Sequence, residues 1–490
     1  MSRPHPSPHS HLLRDLARSW SAPLHTGLVL AAALALTACA STAVPPAGPT
    51  ALVQPAPTWQ AAAPAGGTEP TMAGPAFDDP LLPPLTAAAQ AAGPTLAAVA
   101  ARVARARASR VAAGAALQPR VDATGGVGRG RQQLASPVAT QASIGVQAAW
   151  EIDLFGAGAA GRGAAQARLD SARAAAQGAQ VALAAEVASS YVALRSCEAQ
   201  LVPTQADATS RAETTRLTEL SARAGFTAPA DAALVRATAA QSRGQLVAQR
   251  AACDSLVKGL VALTDLPEPE LRQRLAARTA RLPVAAPLAV PALPAALLAR
   301  RPDIAEAARN VMAAAGERAQ AQARERPQIT LSGSLAGVTL RTGQESSSGT
   351  TWTLGPLAVN FPLFDGGARA AATAAAAADY DEAVAAYRAQ VRLAVREVEQ
   401  ALVALQSSAE READALLAAQ DFEASLRATE ARQRGGLASL FDLEAARRNA
   451  LAAQAALIDL QRERAQAWIT LYRAMGGGFD ETLLARGDAR

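Results

Sequence analysis

The alternation of hydrophobic and polar positions changes period along the chain, and it predicts four strands. Residues 328–335 alternate polar with apolar side chains, and residues 143–148 do so with small residues included. This period of two is typical of a strand with one polar and one apolar face. Two weaker signals complete the set. The predicted strands are 120–128, 143–148, 328–335 and 351–359.

The segments around these strands are predicted to turn. Gly/Ser-rich loops at 129–141 and 341–350 are expected to join the strands of each pair. Pro356 indicates a bend or a strand end, because proline lacks the N–H that a strand ladder uses.

Alanine-rich stretches with almost no proline predict helices. In 157–222 the one proline is Pro203, and 367–433 has none. At about 1.5 Å per residue, a helix of this length is about 100 Å long, far beyond an ordinary globular element. Each long helix is followed by a shorter returning one, so two helical hairpins are expected. The predicted helices are 95–117, 157–222, 229–264, 302–326, 367–433 and 440–475.

The chain is written twice. Pro94 stands 25 residues before Pro119, and Pro302 stands 25 residues before Pro327. Other matched motifs recur at an offset of 208 to 211 residues. A repeat this long is a duplicated domain rather than a solenoid unit. Each copy has the order helix, strand, strand, long helical hairpin.

Four amphipathic strands cannot close a membrane barrel alone, because each unpaired edge group costs several kcal/mol in lipid. Barrels of single chains begin at about eight strands. The pattern therefore predicts an oligomer, and three chains would supply twelve strands. The polar face is expected to line the lumen (Gln328, Thr330, Ser332, Ser334), and the apolar face to meet lipid (Ile329, Leu331, Leu335).

The N-terminus has the order of a secretory signal. Arg14 and Arg18 precede an apolar run at 28–36, which is too short to span a bilayer. Residues 36–39, with the sequence LTAC, resemble a bacterial lipobox, in which Cys39 is lipidated after removal of 1–38. The alternative is an ordinary signal peptide with an incidental cysteine. Residues 39–84 are rich in Pro, Ala and Gly and are expected to form a flexible tether.

Charge and histidine content limit the possible functions. The net charge is +5, and removing 1–38 (three Arg against Asp15) takes away +2 and leaves +3. Without a basic block carrying aromatic residues, no nucleic-acid partner is expected. All four histidines lie at or before His25. We therefore expect no enzyme, no cofactor and no metal site.

Two cysteines remain beyond Cys39. The midpoint of Cys197 and Cys253 is residue 225, where the first hairpin is predicted to turn, so antiparallel helices would bring both to the same height. In an exported protein such a pair can be oxidised to a disulfide. The alternatives are a structural disulfide and two buried thiols on faces that do not meet.

Four further motifs resemble the TolC-like outer membrane efflux proteins of the NodT type. The resemblance covers nearly all of the mature chain. It implies a mainly helical fold with a membrane β-barrel, in which three chains share one 12-stranded barrel and a long α-helical periplasmic tunnel. It also implies two partners, a periplasmic adaptor protein and an inner-membrane pump of RND type. The motifs are 150–156 (WEIDLFG), 300–304 (RRPDI), 361–367 (FPLFDGG) and 471–478 (LYRAMGGG).

The resemblance also implies where the periplasmic gate lies. In this family an acidic ring lies six residues past the tip glycine of the second hairpin, which is Asp442 here. Asp231 matches the acid of the first hairpin, with Arg432 and Arg434 as candidate partners. Asp442 could equally be an acid that favours the helix dipole. Docking of the adaptor is expected at the hairpin tips (Gly225, Phe226, Gly435, Gly436, Leu437).

The sequence thus predicts an outer-membrane exit duct for drugs or other small solutes, anchored by lipid and reaching into the periplasm. Protein secretion, metal-ion efflux and a non-pore lipid-anchored scaffold are the alternatives. The expected segments are signal peptide 1–38, tether 39–84, first repeat 85–270, inter-repeat linker 271–300, second repeat 301–478 and C-terminal tail 479–490.

Overall fold

A computed structural model describes residues 58–64, 66–131, 137–291, 294–295 and 300–479. The signal peptide, Cys39 and the C-terminal tail beyond residue 479 lie outside the described residues. The elements are α1 (Leu82–Ala92), α2 (Pro94–Ala115), β1 (Arg120–Gly130), β2 (Ala139–Ile152), α3 (Ala157–Arg223), α4 (Pro229–Thr264), α5 (Glu268–Leu275), a 3₁₀ turn (Ala276–Arg278), α6 (Pro302–Ala323), β3 (Gln328–Thr342), β4 (Glu345–Asn360), α7 (Ala368–Arg434) and α8 (Leu440–Ala474).

The duplicated order is present in the fold. The series α2, β1, β2, α3, α4 is repeated by α6, β3, β4, α7, α8. Both long helices, α3 and α7, have 67 residues, so each is about 100 Å long. Pro203 lies inside α3 without ending it. Along the described part of the chain, no α-helix combines the length and the apolarity that crossing a bilayer requires.

The strands form one antiparallel sheet in the order β1, β2, β3, β4. Directly opposed residues share a face of a sheet. Val146 lies opposite Leu335, and Leu335 lies opposite Trp352, so these three side chains share one face. On the other face, the Ser334 and Thr353 hydroxyl groups are 2.8 Å apart. The sheet therefore has the predicted apolar and polar faces.

The apolar face is uncovered in the single chain. Val146 is 46% exposed, Trp352 74% and Leu354 84%. An apolar surface of this extent needs a hydrophobic surrounding, because water around it is unfavourable. Its other exposed members are Val121, Val127, Ile144, Trp150, Leu357 and Val359.

The strands are longer than the alternation predicted. The loop predicted at 341–350 is wrong: β3 continues to Thr342, β4 begins at Glu345, and Gly343 turns with φ 64°. Ladder bonds need only backbone groups, so polar residues such as Ser346 extend a strand that hydrophobic periodicity cannot detect. Nor does Pro356 end β4, which passes through it near a register shift between Leu331 and Gly333.

The segment 39–84, predicted to be a flexible tether, packs against the rest of the chain in its described part. The Trp59 Nε1–H donates to the Pro291 carbonyl at 2.8 Å, and Thr68 pairs with Leu288. The Glu399 carboxylate accepts backbone N–H groups from residues 60 and 61 at 2.7 and 2.9 Å. Composition missed these contacts because a few apolar and backbone anchors suffice to fix a proline-rich segment.

The main core lies midway along the long helices. Leu85, Leu194, Leu271 and Ile469 pack there in one buried cluster built from both repeats. Two buried arginines fasten it: Arg195 donates to the Leu275 carbonyl at 2.9 Å, and Arg301 of the RRPDI motif donates to the Ala474 carbonyl at 2.6 Å. The motif that opens the second repeat is therefore a structural clamp.

Candidate functional site: hairpin tips and channel wall

Both helical hairpins turn on a left-handed glycine. Gly225 has φ 79° and Gly436 has φ 75°. In each turn the next residue donates back to the helix: the Phe226 N–H to Ser221 O at 2.9 Å, and the Leu437 N–H to Arg432 O at 2.8 Å. This is the bonding of a Schellman motif, for which glycine is favoured.

The tips expose apolar side chains at the end of the hairpins. Phe226 is 85% exposed and Leu437 75% exposed. Gly435 follows the last residue of α7 with φ −82°, so its backbone conformation does not require glycine. The predicted docking residues thus lie at the turns of the two hairpins, where Phe226 and Leu437 are exposed. Their contact with an adaptor stays a prediction.

Asp442 caps its own helix. The Ser439 N–H donates to the Asp442 carboxylate at 2.9 Å, and the Asp442 N–H donates to Ser439 Oγ at 3.1 Å, which completes a capping box. Hydrogen bonds from the Ser439 side chain and backbone lower the pKa of Asp442. The helix-terminal role considered from sequence is therefore present, and the carboxylate is solvent-exposed.

Asp231 lies in the first turn of α4 and is half-buried. Within the described residues its carboxylate makes no hydrogen bond or ion pair. The two arginines considered as its partners bind elsewhere: Arg432 donates to the Leu437 carbonyl at 3.2 Å, and Arg434 lies 3.6 Å from Glu430. Asp231 is therefore not paired with these arginines within one described chain, and a pairing across the entrance of an assembled channel stays a prediction.

A buried charge network joins the two hairpins above their tips. Glu444 of α8 is 4% exposed and forms ion pairs with Arg211 of α3 and, at 3.1 Å, with Arg447 of α8. The Arg211 Nε lies 2.8 Å from the Asp207 carboxylate. Arg447 also donates to Ser210 Oγ at 2.6 Å. We call these five residues the hairpin network.

Sequence reasoning missed the hairpin network. The pairs Asp207–Arg211 and Glu444–Arg447 have helical spacing and were visible in the sequence, but contact between the hairpins was not. Arg211 lies 14 residues before Gly225, so the network lies about 20 Å above the tip. It joins α8 of the second hairpin to α3 of the first.

Cys197 and Cys253 form a disulfide that joins α3 to α4. It closes a loop across 56 residues of sequence separation, for which the chain-entropy model gives about 4 kcal/mol of stabilisation. Since the second hairpin has no such bond, the first hairpin is the more constrained of the two.

Two segments of this chain, 85–264 and 293–477, match the family model described as outer membrane efflux protein. The chain belongs to this family. Its members are channel proteins rather than enzymes. The efflux-channel function predicted from sequence is thereby confirmed.

Relatives of this outer membrane efflux protein are similar along most of its length. The pyoverdine export outer membrane protein OpmQ of Pseudomonas putida is 30% identical over 478 residues, 93% of this chain and 98% of OpmQ. Nodulation protein T of Rhizobium leguminosarum bv. viciae is 30% identical over 341 residues, 69% of this chain and 70% of that protein.

Solved channels share the fold of this outer membrane efflux protein. The outer-membrane channel OprN superposes with a TM-score of 0.76 at 26% identity, covering 87% of this chain and 99% of OprN. The outer membrane protein VceC of Vibrio cholerae has the same fold, with a TM-score of 0.71 at 23% identity over 82% of this chain and 98% of VceC. The predicted fold class is confirmed.

Proposed function

We propose that three copies of this chain form the outer-membrane exit duct of a tripartite efflux system for small organic solutes. One chain supplies four strands with two open edges and one uncovered apolar face. Three chains give twelve strands, enough to enclose an aqueous lumen. The uncovered apolar face is the observation that carries the proposal, because lipid is the surrounding that it requires.

The remaining parts follow the same plan. The helical hairpins continue the duct into the periplasm, and the tips at Phe226 and Leu437 meet an adaptor protein that links the duct to an inner-membrane pump of RND type. Lipidation at Cys39 anchors the N-terminus in the outer membrane. Relatives named for solvent efflux, in Pseudomonas putida, and for pyoverdine export favour small organic cargo over protein.

Deletion of the gene tests the cargo class. We expect increased sensitivity to organic solvents, antibiotics or dyes, and restored resistance when the intact gene is supplied. Purified protein in planar bilayers is expected to give single-channel steps. A protein that inserts without conducting would be a scaffold, and unchanged sensitivity to the whole panel would contradict the efflux assignment.

The Ser439→Ala variant tests whether Asp442 acts as a gate acid. Removing the hydroxyl donor is expected to raise the pKa of Asp442 towards its ordinary value of 3.8. Because the pKa of Asp442 is lower in the folded than in the unfolded state, its ionised carboxylate stabilises the folded helix end at a pH above the unfolded-state pKa. That stabilisation is lost as the pH falls through the folded-state pKa. Three copies of the carboxylate around the axis would bind cations.

The measurement is block of single-channel current by a divalent cation across an acidic pH series. In Ser439→Ala the block is expected to disappear at a higher pH than in the parent. Asp442→Asn is the matched control and is expected to abolish block at every pH. Block that survives Asp442→Asn would show that Asp442 caps the helix without lining the gate.

A further inference from the structure

The two repeats contact each other within the chain, and the duplication predicts an equivalent contact between the second repeat of one copy and the first repeat of another. Within the chain, α3 of the first repeat packs on α6 of the second, and β2 pairs with β3. The second repeat presents the equivalent surfaces, α7 and β4, outward. The first repeat presents α2 and β1. The rotation and translation that superpose the first repeat on the second can also be used to place a second copy of the chain. In that arrangement α2 and β1 of the second copy lie against α7 and β4 of the first copy.

The equivalences are fixed by the element boundaries. Helix α3 begins at Ala157 and α7 at Ala368, and α4 begins at Pro229 and α8 at Leu440, an offset of 211 in both cases. For the preceding helix the offset is 208, from Pro94 to Pro302. Every contact between repeats therefore predicts one pair of residues across the boundary between copies.

We infer that α2 of one protomer packs on α7 of the next as a heterologous seam, with Arg102 of one copy paired to Glu382 of its neighbour. The inference rests on the proposed trimer and deepens it. Inside the chain, the Ser171 hydroxyl donates to Asn310 Oδ1 at 2.7 Å between α3 and α6. Adding 211 to Ser171 gives Glu382 as its equivalent in the second repeat, and subtracting 208 from Asn310 gives Arg102 as its equivalent in the first.

The predicted pair is available in the single chain. Arg102 and Glu382 are both exposed. Among the described residues, neither forms an ion pair within its own chain, and Arg102 has a longer-range electrostatic interaction with Glu306 of α6. A neutral hydrogen bond inside the chain is thus matched, across the seam, by opposite charges, which attract strongly at hydrogen-bond distance.

Charge around this pair is separated between the two helices. Helix α2 carries four arginines and no acid, whereas α7 exposes three acids within four residues. The ion pair of Arg168 with Glu317 maps to Asp379 and Ser109, and Arg105 and Arg110 flank Ser109. The basic residues are Arg102, Arg105, Arg107 and Arg110, and the acidic residues are Asp379, Asp381 and Glu382.

Helices α4 and α7 also carry residues that would form complementary pairs across the seam. The Gln466 side chain donates to Ser189 Oγ at 2.9 Å, and these residues map to Ser255 and Gln400, the same two residue types exchanged. The contact of Arg447 with Ser210 maps to Arg236 and Asp421, which have opposite charges. Both mapped pairs suit a polar contact between α4 of one copy and α7 of the next.

The strand edges agree with the helices. Val146 lies opposite Leu335 across β2 and β3. Val146 pairs with Ala123 of β1, and the equivalent residue of β3, Leu331, pairs with Leu357, so Leu357 is the equivalent of Val146. Subtracting 208 from Leu335 gives Val127 of β1 as its equivalent. Leu357 of one copy therefore faces Val127 of the next on the apolar face. A register one residue away would mix the two faces.

The seam differs from the contact inside the chain at one level. Arg211 and Glu444 of the hairpin network map to Phe422 and Ala233. The buried ion pair of Arg211 with Glu444 thus has no counterpart between copies, whereas the contact of Arg447 with Ser210 does.

Disulfide trapping in the full-length protein tests the seam. Arg102→Cys combined with Glu382→Cys is expected to give covalent dimers and trimers on a denaturing gel after oxidation, whereas each single variant stays monomeric. The matched control is Ser171→Cys with Asn310→Cys, whose bond forms within one chain and leaves a monomer band. Arg107→Cys with Glu382→Cys tests a position five residues further along α2, on another face of the helix, and is expected to stay monomeric.

Native mass spectrometry of the same samples separates the two hypotheses. A native trimer without covalent species from the Arg102–Glu382 cysteine pair would overturn the seam and leave the proposed duct intact. A native monomer in the parent protein would overturn the trimer itself. Charge reversal gives an independent check: Arg102→Glu and Glu382→Arg are each expected to lower the trimer fraction, and the two together to restore it.

Discussion

The Glu444→Gln variant is expected to loosen the contact between the two hairpins and to raise the resting conductance of the channel. Glutamine keeps the size of the side chain but leaves the buried guanidinium groups of Arg211 and Arg447 without their shared carboxylate. Breaking a buried ion pair on one side costs about 3–5 kcal/mol when the remaining charge is left unpaired. Asp207 beside Arg211 and Glu430 beside Arg447 offset a part of that cost. Single-channel recording and amide hydrogen exchange along α8 measure the effect.

An exposed ion pair on the same helix provides the control. Glu463 of α8 lies 2.6 Å from Arg411, with both side chains about half exposed. Such pairs contribute at most about 1 kcal/mol, so Glu463→Gln is expected to leave conductance and exchange unchanged. Equal behaviour of the two variants would remove the hairpin network from the gate.

Periodicity and repetition were sufficient to predict the order of elements. Proline at helix starts and glycine at the tips are local signals, and α4 was placed at 229–264, as observed. Strand lengths were underestimated because the alternation ends where the apolar face ends, although backbone pairing continues to Thr342 and Glu345. The first hairpin's turn at Gly225 also correctly placed Cys197 and Cys253 at the same height.

The hairpin network was harder to predict because it depends on contacts between distant helices. Counting from the tip glycine selected Asp442, which the structure shows capping α8. Glu444, two residues further on, lies on another face of the helix. That other face is where the hairpins meet. A sequence records that Glu444 and Arg447 can pair along one helix, but only packing shows that Arg211 of α3 joins them.

Among changes to the sheet, Leu354→Arg is expected to have the largest effect. Leu354 is 84% exposed and shares the apolar face with Gly333 opposite it. If this face meets lipid, an arginine near the bilayer midplane destabilises the barrel by about 2–4 kcal/mol per copy. Because three copies carry the change, we expect little heat-resistant trimer in outer-membrane fractions. Thr353→Arg, one residue away on the polar face, is expected to assemble normally and to alter ion selectivity instead. If both variants assemble equally well, the apolar face does not meet lipid.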